Sequence, residues 1–309
     1  MNYTLHQLHV FAKVVEFKSI TKASVELHMS QPAVSIQLKN LQDQFEIPLT
    51  EVVGRQLYVT DFGKEIYEMA QRIINEVYAI NYKTMSFKGQ LTGRLLISTV
   101  STGKYVMPYF LVDFLKKNEG VDLVMDVTNK QKVIESLKNN KIDFALISVL
   151  PLGLNITKEV LLENRLYVVG NKNEKTKKQI SSKEDLKLMP LIFREEGSGT
   201  RFVMENYFNK NKILIRKKLE LTSNEAVKQA VIAGLGNSIM PLIGIRNEVQ
   251  IGDIKIIPTS GFPIKSQWCL IWLKSKKLSP AAEAYIDFIK KNKQDILKDK
   301  FSWIDKMGL

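Results

Sequence analysis

The sequence contains few of the residues from which catalytic and metal centres are usually built. It has one cysteine, Cys269, and three histidines, His6, His9 and His28, in 309 residues. A single cysteine excludes a disulfide framework or a CxxC metal site within one chain. Because no histidine follows residue 28, a histidine triad or a histidine-ligated metal is excluded from the rest of the chain. We therefore predict a protein that is not an enzyme and that has no metal and no cofactor.

Long apolar runs are also missing. No stretch holds the roughly eighteen consecutive apolar residues that a membrane span requires. The N-terminus has no basic segment leading into an apolar run, as a secretory signal would. We expect a cytoplasmic protein that does not engage the membrane, and its length favours two or three domains.

An excess of positive charge is absent from the first ninety residues, although the whole chain carries a net charge of +13. Residues 1–90 contain nine lysines and arginines and nine aspartates and glutamates, so their formal net charge is zero. The excess lies in residues 91–309, largely in lysine clusters that are typical of solvated faces. Net charge therefore gives little evidence for or against nucleic-acid binding. The sequence does not distinguish lysine-rich surfaces that touch DNA from ones that are only solvated.

The first sixty residues contain a pattern of short helices. Apolar residues recur three and four positions apart, and Ser30 is a suitable N-cap for a helix from about Gln31 to Phe45. Its apolar stripe leaves Gln31, Ser35 and Gln37 exposed. A helix-turn-helix presents such groups to the major groove, where glutamine can pair with adenine. An ordinary helical hairpin with a polar surface fits the same spacing.

Two further elements follow this helix pair. "EVV" and "LYVT" flank a turn and form a small wing, with Arg55 at its tip placed to reach a phosphate, although a lone surface arginine at a turn is also common. From Thr60 to about Phe87 one long helix carries an apolar stripe spaced like a coiled-coil seam. We favour a second copy of the chain as the partner of this stripe over packing within one chain. The stripe comprises Phe62, Ile66, Met69, Ile73, Val77 and Ile80.

Strand and helix patterns alternate after residue 93. This βαβ pattern predicts two α/β lobes with mostly parallel sheets, and the last strand and helix return to the first lobe. The fold class is therefore α plus α/β. We predict a helical DNA-binding domain at 1–60, a linker helix at 61–90 and a two-lobed domain at 91–309. Lobe I covers about 91–163 and 268–309, and lobe II about 164–267.

Four segments have the form of ligand-binding loops at the carboxyl ends of strands. Helix N-termini and hydroxyl groups at such ends favour a small anion. "REEGSGTRF" has this form most clearly. A glycine-rich turn whose serine or threonine only caps the next helix is the alternative, but four such segments facing one cleft favour a ligand. Glu195 and Glu196 form a conceivable acid pair, but adjacent glutamates entering a helix more often interact with its dipole. The predicted ligand residues are Ser101, Thr102, Lys104, Asn129, Ser148, Gly197, Ser198, Gly199, Thr200 and Arg201.

The stretch "SITKASVELHMSQPAVSIQLKNLQDQFEIPL", the wing, the long helix and the two lobes resemble the LysR-type transcriptional regulators over nearly the whole chain. "VSTGKYVMP", "REEGSGTR" and "SNEAVKQAVIAGLG" are most similar to the branch of the Calvin-cycle, or CbbR-like, regulators. This resemblance implies a winged helix-turn-helix, a dimerising linker helix and an effector-binding domain with periplasmic-binding-protein topology. It implies promoter DNA, a small-molecule effector and further copies of the chain, as a tetramer of two dimers, as partners. RNA polymerase is a further candidate partner.

The resemblance also assigns roles to single residues. The family's base contacts fall on Gln31, Pro32 and Ser35, and its wing arginine on Arg55. Its effector contacts fall on Ser101, Thr102, Asn129, Ser148 and Thr200, and Lys104 and Arg201 are further candidates in this branch. Many members carry arginine where this chain has Ile36, so we expect DNA affinity to depend less steeply on salt than in a basic relative. The predicted DNA-facing residues are Ser30, Gln31, Pro32, Ser35, Gln37, Lys39 and Arg55.

A rival hypothesis keeps the cleft but makes the chain an enzyme or solute carrier, with the N-terminal helices serving assembly. The scarcity of histidine and cysteine counts against it. The leading hypothesis is a DNA-binding regulator whose interlobe cleft senses a small anionic metabolite.

Overall fold

In the computed structural model, residues 3–54, 56–86, 90–173, 186–214 and 217–307 are described. The chain forms two compact units, Met1–Gln90 and Leu91–Leu309. No helix within the described ranges is long and apolar enough to cross a membrane. The elements of the first unit are α1 (Leu5–Phe17), α2 (Ile20–Glu26), α3 (Gln31–Gln42), β1 (Thr50–Val53), β2 (Gln56–Val59) and α4 (Asp61–Ser86).

Side-chain caps define the helix pair α2 and α3. Ser19 accepts a hydrogen bond from the backbone N–H of Lys22, and Ser30 accepts one from the N–H of Ala33. These bonds satisfy N–H groups that have no partner inside a helix. The expected apolar stripe of α3 is buried at three positions and half-buried at the fourth. These positions are Val34, Leu38, Leu41 and Phe45.

The two-stranded wing packs against the start of α4 through a close backbone approach. Thr60 donates from Oγ1 to the carbonyl of Pro48 at 2.6 Å and accepts from the N–H of Gly63 at 2.9 Å. A Cβ atom at Gly63 would lie 2.0 Å from the Leu49 carbonyl oxygen, so only glycine fits there. This contact fixes the wing relative to the helices.

The second unit contains more strands than the sequence analysis identified, and it ends in an additional helical segment. Its elements are β3 (Thr92–Val100), α5 (Met107–Lys117), β4 (Gly120–Thr128), α6 (Lys130–Lys138), β5 (Phe144–Ile147), β6 (Ile156–Asn171), β7 (Leu191–Arg194), α7 (Gly199–Lys210), β8 (Lys217–Leu221), α8 (Asn224–Ile232), β9 (Ser238–Pro241), α9 (Arg246–Ile251), β10 (Ile254–Ile256), β11 (Ile264–Leu273), α10 (Pro280–Ile296) and α11 (Trp303–Met307). Short 3-10 turns lie at Gly103–Tyr105 and Leu242–Gly244, and a π turn at Leu297–Phe301 links α10 to α11.

The main sheet is mixed, and the prediction of mostly parallel pairing was wrong for it. β3 pairs in parallel with β4 and β5, but β11 pairs antiparallel with β5 and β6, and β6 pairs antiparallel with β9 and β10. The reason is that β6 and β11 are long, adjacent and antiparallel. β11 also pairs with β5, and β6 also pairs with β9 and β10. β7 and β8 form a separate parallel pair.

The hydrophobic core of the second unit falls into separate clusters along these two strands. Leu162 and Trp268 belong to a cluster with β3, α5 and α10, whereas Leu166 belongs to a cluster with β7 and α7. β6 and β11 therefore connect two packed lobes. This is the two-lobed α/β fold expected of the chain's C-terminal part.

Candidate functional site

The start of α3 presents a polar surface. Ser30, Gln31 and Pro32 are exposed, and Ser35 is half-buried. Positions 31, 35 and 39 lie four apart and therefore on one side of the helix. Lys39 is exposed on this side, so hydrogen-bonding groups and a cation share the surface that a major groove would meet.

Two residues predicted to face DNA are placed differently or lie outside the described ranges. Gln37 is half-buried and lies about 120° around α3 from Gln31, because each residue turns a helix by about 100°. The expectation that Gln31 and Gln37 share one exposed side was therefore wrong. Arg55 lies outside the described residues.

A cleft in the second unit forms where strand ends from both lobes meet. Ser101 and Thr102 follow β3, Asn129 follows β4 and Ser148 follows β5. From the other lobe, the end of β7 contributes Arg194, and the start of α7 contributes Ser198, Gly199 and Thr200. Together they line one cavity, in the order Val100, Ser101, Thr102, Asn129, Lys130, Ser148, Arg194, Ser198, Gly199 and Thr200. Seven of the ten predicted ligand residues thus meet at one place.

The hydroxyl and amide groups of the cleft differ in what they already bind. Asn129 accepts from the N–H of Lys132 and caps α6, and Ser198 accepts from the N–H of Arg201 and caps α7. Thr102 is 4% exposed, and its side chain caps nothing. A Cβ atom at Gly103 would lie 1.8 Å from Thr99 Oγ1, so the loop carrying Thr102 lies tightly against β3. The capping interpretation therefore holds for Asn129 and Ser198.

Arg194, which the sequence analysis did not single out, joins the two lobes. Its guanidinium donates to both carboxylate oxygens of Glu195 at 2.7 and 2.9 Å, and its Nη1 donates to Ser101 Oγ at 3.0 Å. Arg194 is only 5% exposed. Glu195 thus occupies the bidentate edge of the guanidinium, and Nη1 is the donor that faces Ser101 and the cleft. The only sequence signal for it was its position at the end of an apolar strand that leads into the Gly-Ser-Gly-Thr loop.

Lys130 is a second cation of the cleft that the sequence analysis missed. Its Nζ lies 4.3 Å from the centre of the Phe202 ring, and partial burial lowers the pKa of its ammonium group. No carboxylate pairs with Lys130 among the residues that the structure covers. The free N–H groups at the start of α7 add partial positive charge. The cleft is therefore suited to an anion.

The cleft is nearly closed. Its cavity has a volume of about 10 Å³, which holds about one water molecule. A larger ligand can enter only if the lobes separate or Arg194 leaves Ser101. Occupancy of the cleft and the relative position of the lobes are thereby linked.

Three predicted ligand residues do not line this cleft. Arg201 points to β8 and α7, where it binds Glu205 at 2.6 Å and Glu220 at 2.9 Å. Lys104 is exposed with its Nζ 5.0 Å from the Tyr105 ring centre, and it lines a different pocket. Gly197 has a positive φ of 81° and serves as the turn before α7. These placements correct the expectation that Lys104, Gly197 and Arg201 contact the same ligand as the other seven.

Both units of the chain match models of one protein family. Residues 5–64 match the bacterial regulatory helix-turn-helix proteins of the lysR family, and residues 88–294 match the LysR substrate binding domain. The chain is 36% identical to the HTH-type transcriptional activator CmpR of Synechocystis sp. (strain ATCC 27184 / PCC 6803 / Kazusa), across 93% of this chain and 95% of that protein. It is 35% identical to the RuBisCO operon transcriptional regulator of Allochromatium vinosum, across 94% of this chain and 96% of that protein.

Two solved structures are informative. The regulatory domain of Synechocystis PCC6803 CcmR in complex with 2-PG superposes with a TM-score of 0.62 at 30% identity, covering 66% of this chain and 99% of that one. Full-length CbnR complexed with its target DNA superposes with a TM-score of 0.70 at 21% identity, covering 93% and 99%. The likeness to CbnR shows the fold alone.

Proposed function

Because the chain belongs to the LysR family of DNA-binding transcriptional regulators, we propose that α3 reads its operator and that the interlobe cleft binds a small phosphorylated anion. As a member of this family it is a regulator with an effector-binding domain and not an enzyme. Gln31 and Ser35 are the proposed base-reading residues. Thr102, Lys130, Arg194 and Thr200 are the proposed effector contacts. We place the protein in the cytoplasm because its target is promoter DNA.

The observation that carries the effector proposal is the set of donors in the cleft, namely the Lys130 ammonium, the Arg194 Nη1 that Glu195 leaves for Ser101, and two helix N-termini. Lobe I supplies Lys130 beside the start of α6, and lobe II supplies Arg194 and the start of α7. An anion with two charged ends would therefore find a cation and a helix N-terminus on each lobe. 2-PG, the ligand of the CcmR regulatory domain, is 2-phosphoglycolate, which has a phosphate at one end and a carboxylate at the other. We propose this compound, or an anion of the same kind, as the effector.

Effector binding would change the DNA complex through the lobes. A ligand that takes the guanidinium of Arg194 breaks the bond to Ser101 and sets a new distance between the lobes. Such a ligand shifts the balance of two quaternary states only if it binds them with different affinity. Contact with RNA polymerase is proposed as a consequence of this shift.

A thermal-unfolding experiment on the full-length protein tests the effector proposal. 2-Phosphoglycolate at about a hundred times its dissociation constant should add about 2.7 kcal/mol to the stability of the effector-binding unit. For a unit of this size that is a rise of about 5–10 °C in its transition. Thr200→Ala should reduce the shift by removing one hydroxyl contact. An unchanged transition in the wild-type protein would contradict the choice of ligand.

We further propose that α4 pairs with α4 of a second copy, and that two such dimers form a tetramer. Phe62 and Ile66 pack within the first unit, but Met69, Ile73 and Ile80 are 49%, 40% and 65% exposed. Exposed apolar side chains at coiled-coil spacing need a partner helix to cover them.

An Ile73→Glu variant should fail to dimerise through α4, because two glutamates would face each other in an apolar seam. Sedimentation velocity should report a smaller assembly than the wild-type protein forms. Arg72→Gln, at an exposed neighbouring position outside the stripe, is the matched control and should keep the wild-type mass. The same mass for Ile73→Glu and wild type would place the dimer contact elsewhere.

A further inference from the structure

A second cavity lies between the lobes, apart from the effector cleft. It has a volume of about 240 Å³, and residues of both lobes line it. Tyr105 of the loop after β3 contributes from lobe I, and Lys228 of α8 and Arg246 of α9 contribute from lobe II. Its size fits a small molecule, unlike the nearly closed cleft on the Ser101 side of the same loop.

The lining of this pocket combines cations with aromatic rings. Three cations, Lys104, Lys228 and Arg246, and one carboxylate, Glu248, face it. Lys228 is already paired with Glu225 at 3.0 Å and Glu248 at 2.7 Å. Burial by itself would lower the pKa of Lys228, but these two ion pairs raise it, so Lys228 stays charged. The positive charge that remains for a ligand comes from Lys104 and Arg246.

Arg246 is the group whose bonding is incomplete. Its guanidinium carbon lies 4.4 Å from the centre of the Trp303 ring. Its Nε is buried and has no hydrogen-bond partner within the described part of the chain. A buried donor without an acceptor is costly, and a ligand oxygen would remove that cost once Arg246 moves far enough to turn Nε toward the pocket.

The aromatic wall belongs to the C-terminal segment, residues 297–307. Phe301 is buried in the lobe I cluster and stacks on Phe110, whereas Trp303 packs on a lobe II cluster. Arg165 of β6 holds this segment by an ion pair with Asp305 at 2.7 Å. The match to the LysR substrate binding domain ends at residue 294, before this wall begins.

From this combination we propose that the pocket of Lys104, Tyr105, Arg246 and Trp303 is a second ligand site, for a small anion with a flat apolar body. The anionic group binds Arg246 and Lys104, and the flat body lies against Trp303 and Tyr105. The site is tied to the effector cleft by one loop. Ser101 receives the bond from Arg194 of lobe II, and Tyr105 donates to Glu225 of lobe II at 3.3 Å.

Phenyl phosphate is a suitable probe, with inorganic phosphate and phenol as its two halves. Isothermal titration of the full-length protein without DNA should give a dissociation constant for phenyl phosphate at least tenfold below that of either half. Arg246→Gln should raise the dissociation constant for phenyl phosphate at least tenfold, because the charge-assisted hydrogen bond is lost. Trp303→Leu should weaken it while leaving the affinity for inorganic phosphate unchanged. Lys104 is exposed, so we expect Lys104→Gln to fold like the wild-type protein. It should raise the dissociation constant for phenyl phosphate severalfold.

Two controls separate this site from the effector cleft and from general charge effects. Thr200→Ala should leave phenyl phosphate binding unchanged, and so should Lys210→Gln, which removes an exposed cation at the end of α7. The proposal is overturned if phenyl phosphate does not bind, or if inorganic phosphate binds equally well. It is also overturned if Arg246→Gln and Lys104→Gln bind like wild type, or if Thr200→Ala abolishes binding. None of these results depends on DNA or on 2-phosphoglycolate, so the proposed function is tested separately.

Discussion

A Gln31→Ala variant is expected to bind its operator about 1–3 kcal/mol more weakly than the wild-type protein, which is a loss of about one to two powers of ten. Gln31 stands exposed at the first position of α3, beyond the cap formed by Ser30. Its amide can donate to and accept from one adenine edge, so its loss removes a bidentate contact. The fold should be unaffected because the side chain is exposed.

Loss of a base contact differs from loss of a phosphate contact in a measurable way. Gln31→Ala should relax the preference at one operator position and leave binding to random DNA unchanged. Lys39→Gln should instead weaken operator and random DNA alike, and should make the dependence of affinity on salt less steep. Fluorescence anisotropy on the chain's own upstream region, at several salt concentrations, distinguishes these results. Equal losses on both DNAs for Gln31→Ala would mean that α3 does not read bases through Gln31.

An Arg194→Gln variant is expected to lose most of its affinity for 2-phosphoglycolate and to keep its affinity for DNA. A hydrogen bond to a charged group contributes about 1.5–3 kcal/mol, so the effector dissociation constant should rise about ten- to a hundredfold. Glutamine can still bond to Ser101, but it lacks the charge and the paired donors that a phosphate or carboxylate requires.

Arg201→Gln is the matched control, because it also replaces an arginine with a glutamine, seven residues further along the chain. Arg201 is held by Glu205 and Glu220 and does not line the cleft, although its Nη1 also donates to the backbone carbonyl of Arg194 at 3.3 Å. Isothermal titration should therefore give Arg201→Gln the wild-type affinity. If Arg201→Gln lost the effector and Arg194→Gln did not, the prediction made from the sequence would stand and the structural assignment would fail.

Local patterns were sufficient for the helical unit and for the strand ends that form the cleft. Ser30 as a cap and the stripe of Val34, Leu38 and Leu41 depend only on neighbours along the chain, and the structure confirms them. The position of Thr102 and Thr200 on one cavity follows from the rule that loops at the carboxyl ends of strands converge.

What the sequence could not provide was the direction of side chains set by distant partners. Successive residues on α7 differ by about 100°, so Thr200 faces the cleft while Arg201 faces Glu220 on β8. No local pattern predicts that pairing. The first half of β6, "ITKEVLLEN", carries charged residues where a buried strand would be apolar, so no strand pattern marks it in the sequence. This first half lies in lobe I, where its charges bind partners such as Lys293, which pairs with Glu159.

The central claim is that a ligand in the interlobe cleft changes how the protein holds DNA. Linkage requires that DNA then changes ligand affinity by the same factor. We would titrate 2-phosphoglycolate into the full-length protein, first free and then saturated with its upstream DNA. The account predicts that the dissociation constants of the free and the DNA-saturated protein differ by about 5- to 150-fold, the usual range of such coupling. In Arg194→Gln the binding signal should fall sharply both with and without DNA. Equal dissociation constants with and without DNA would contradict it.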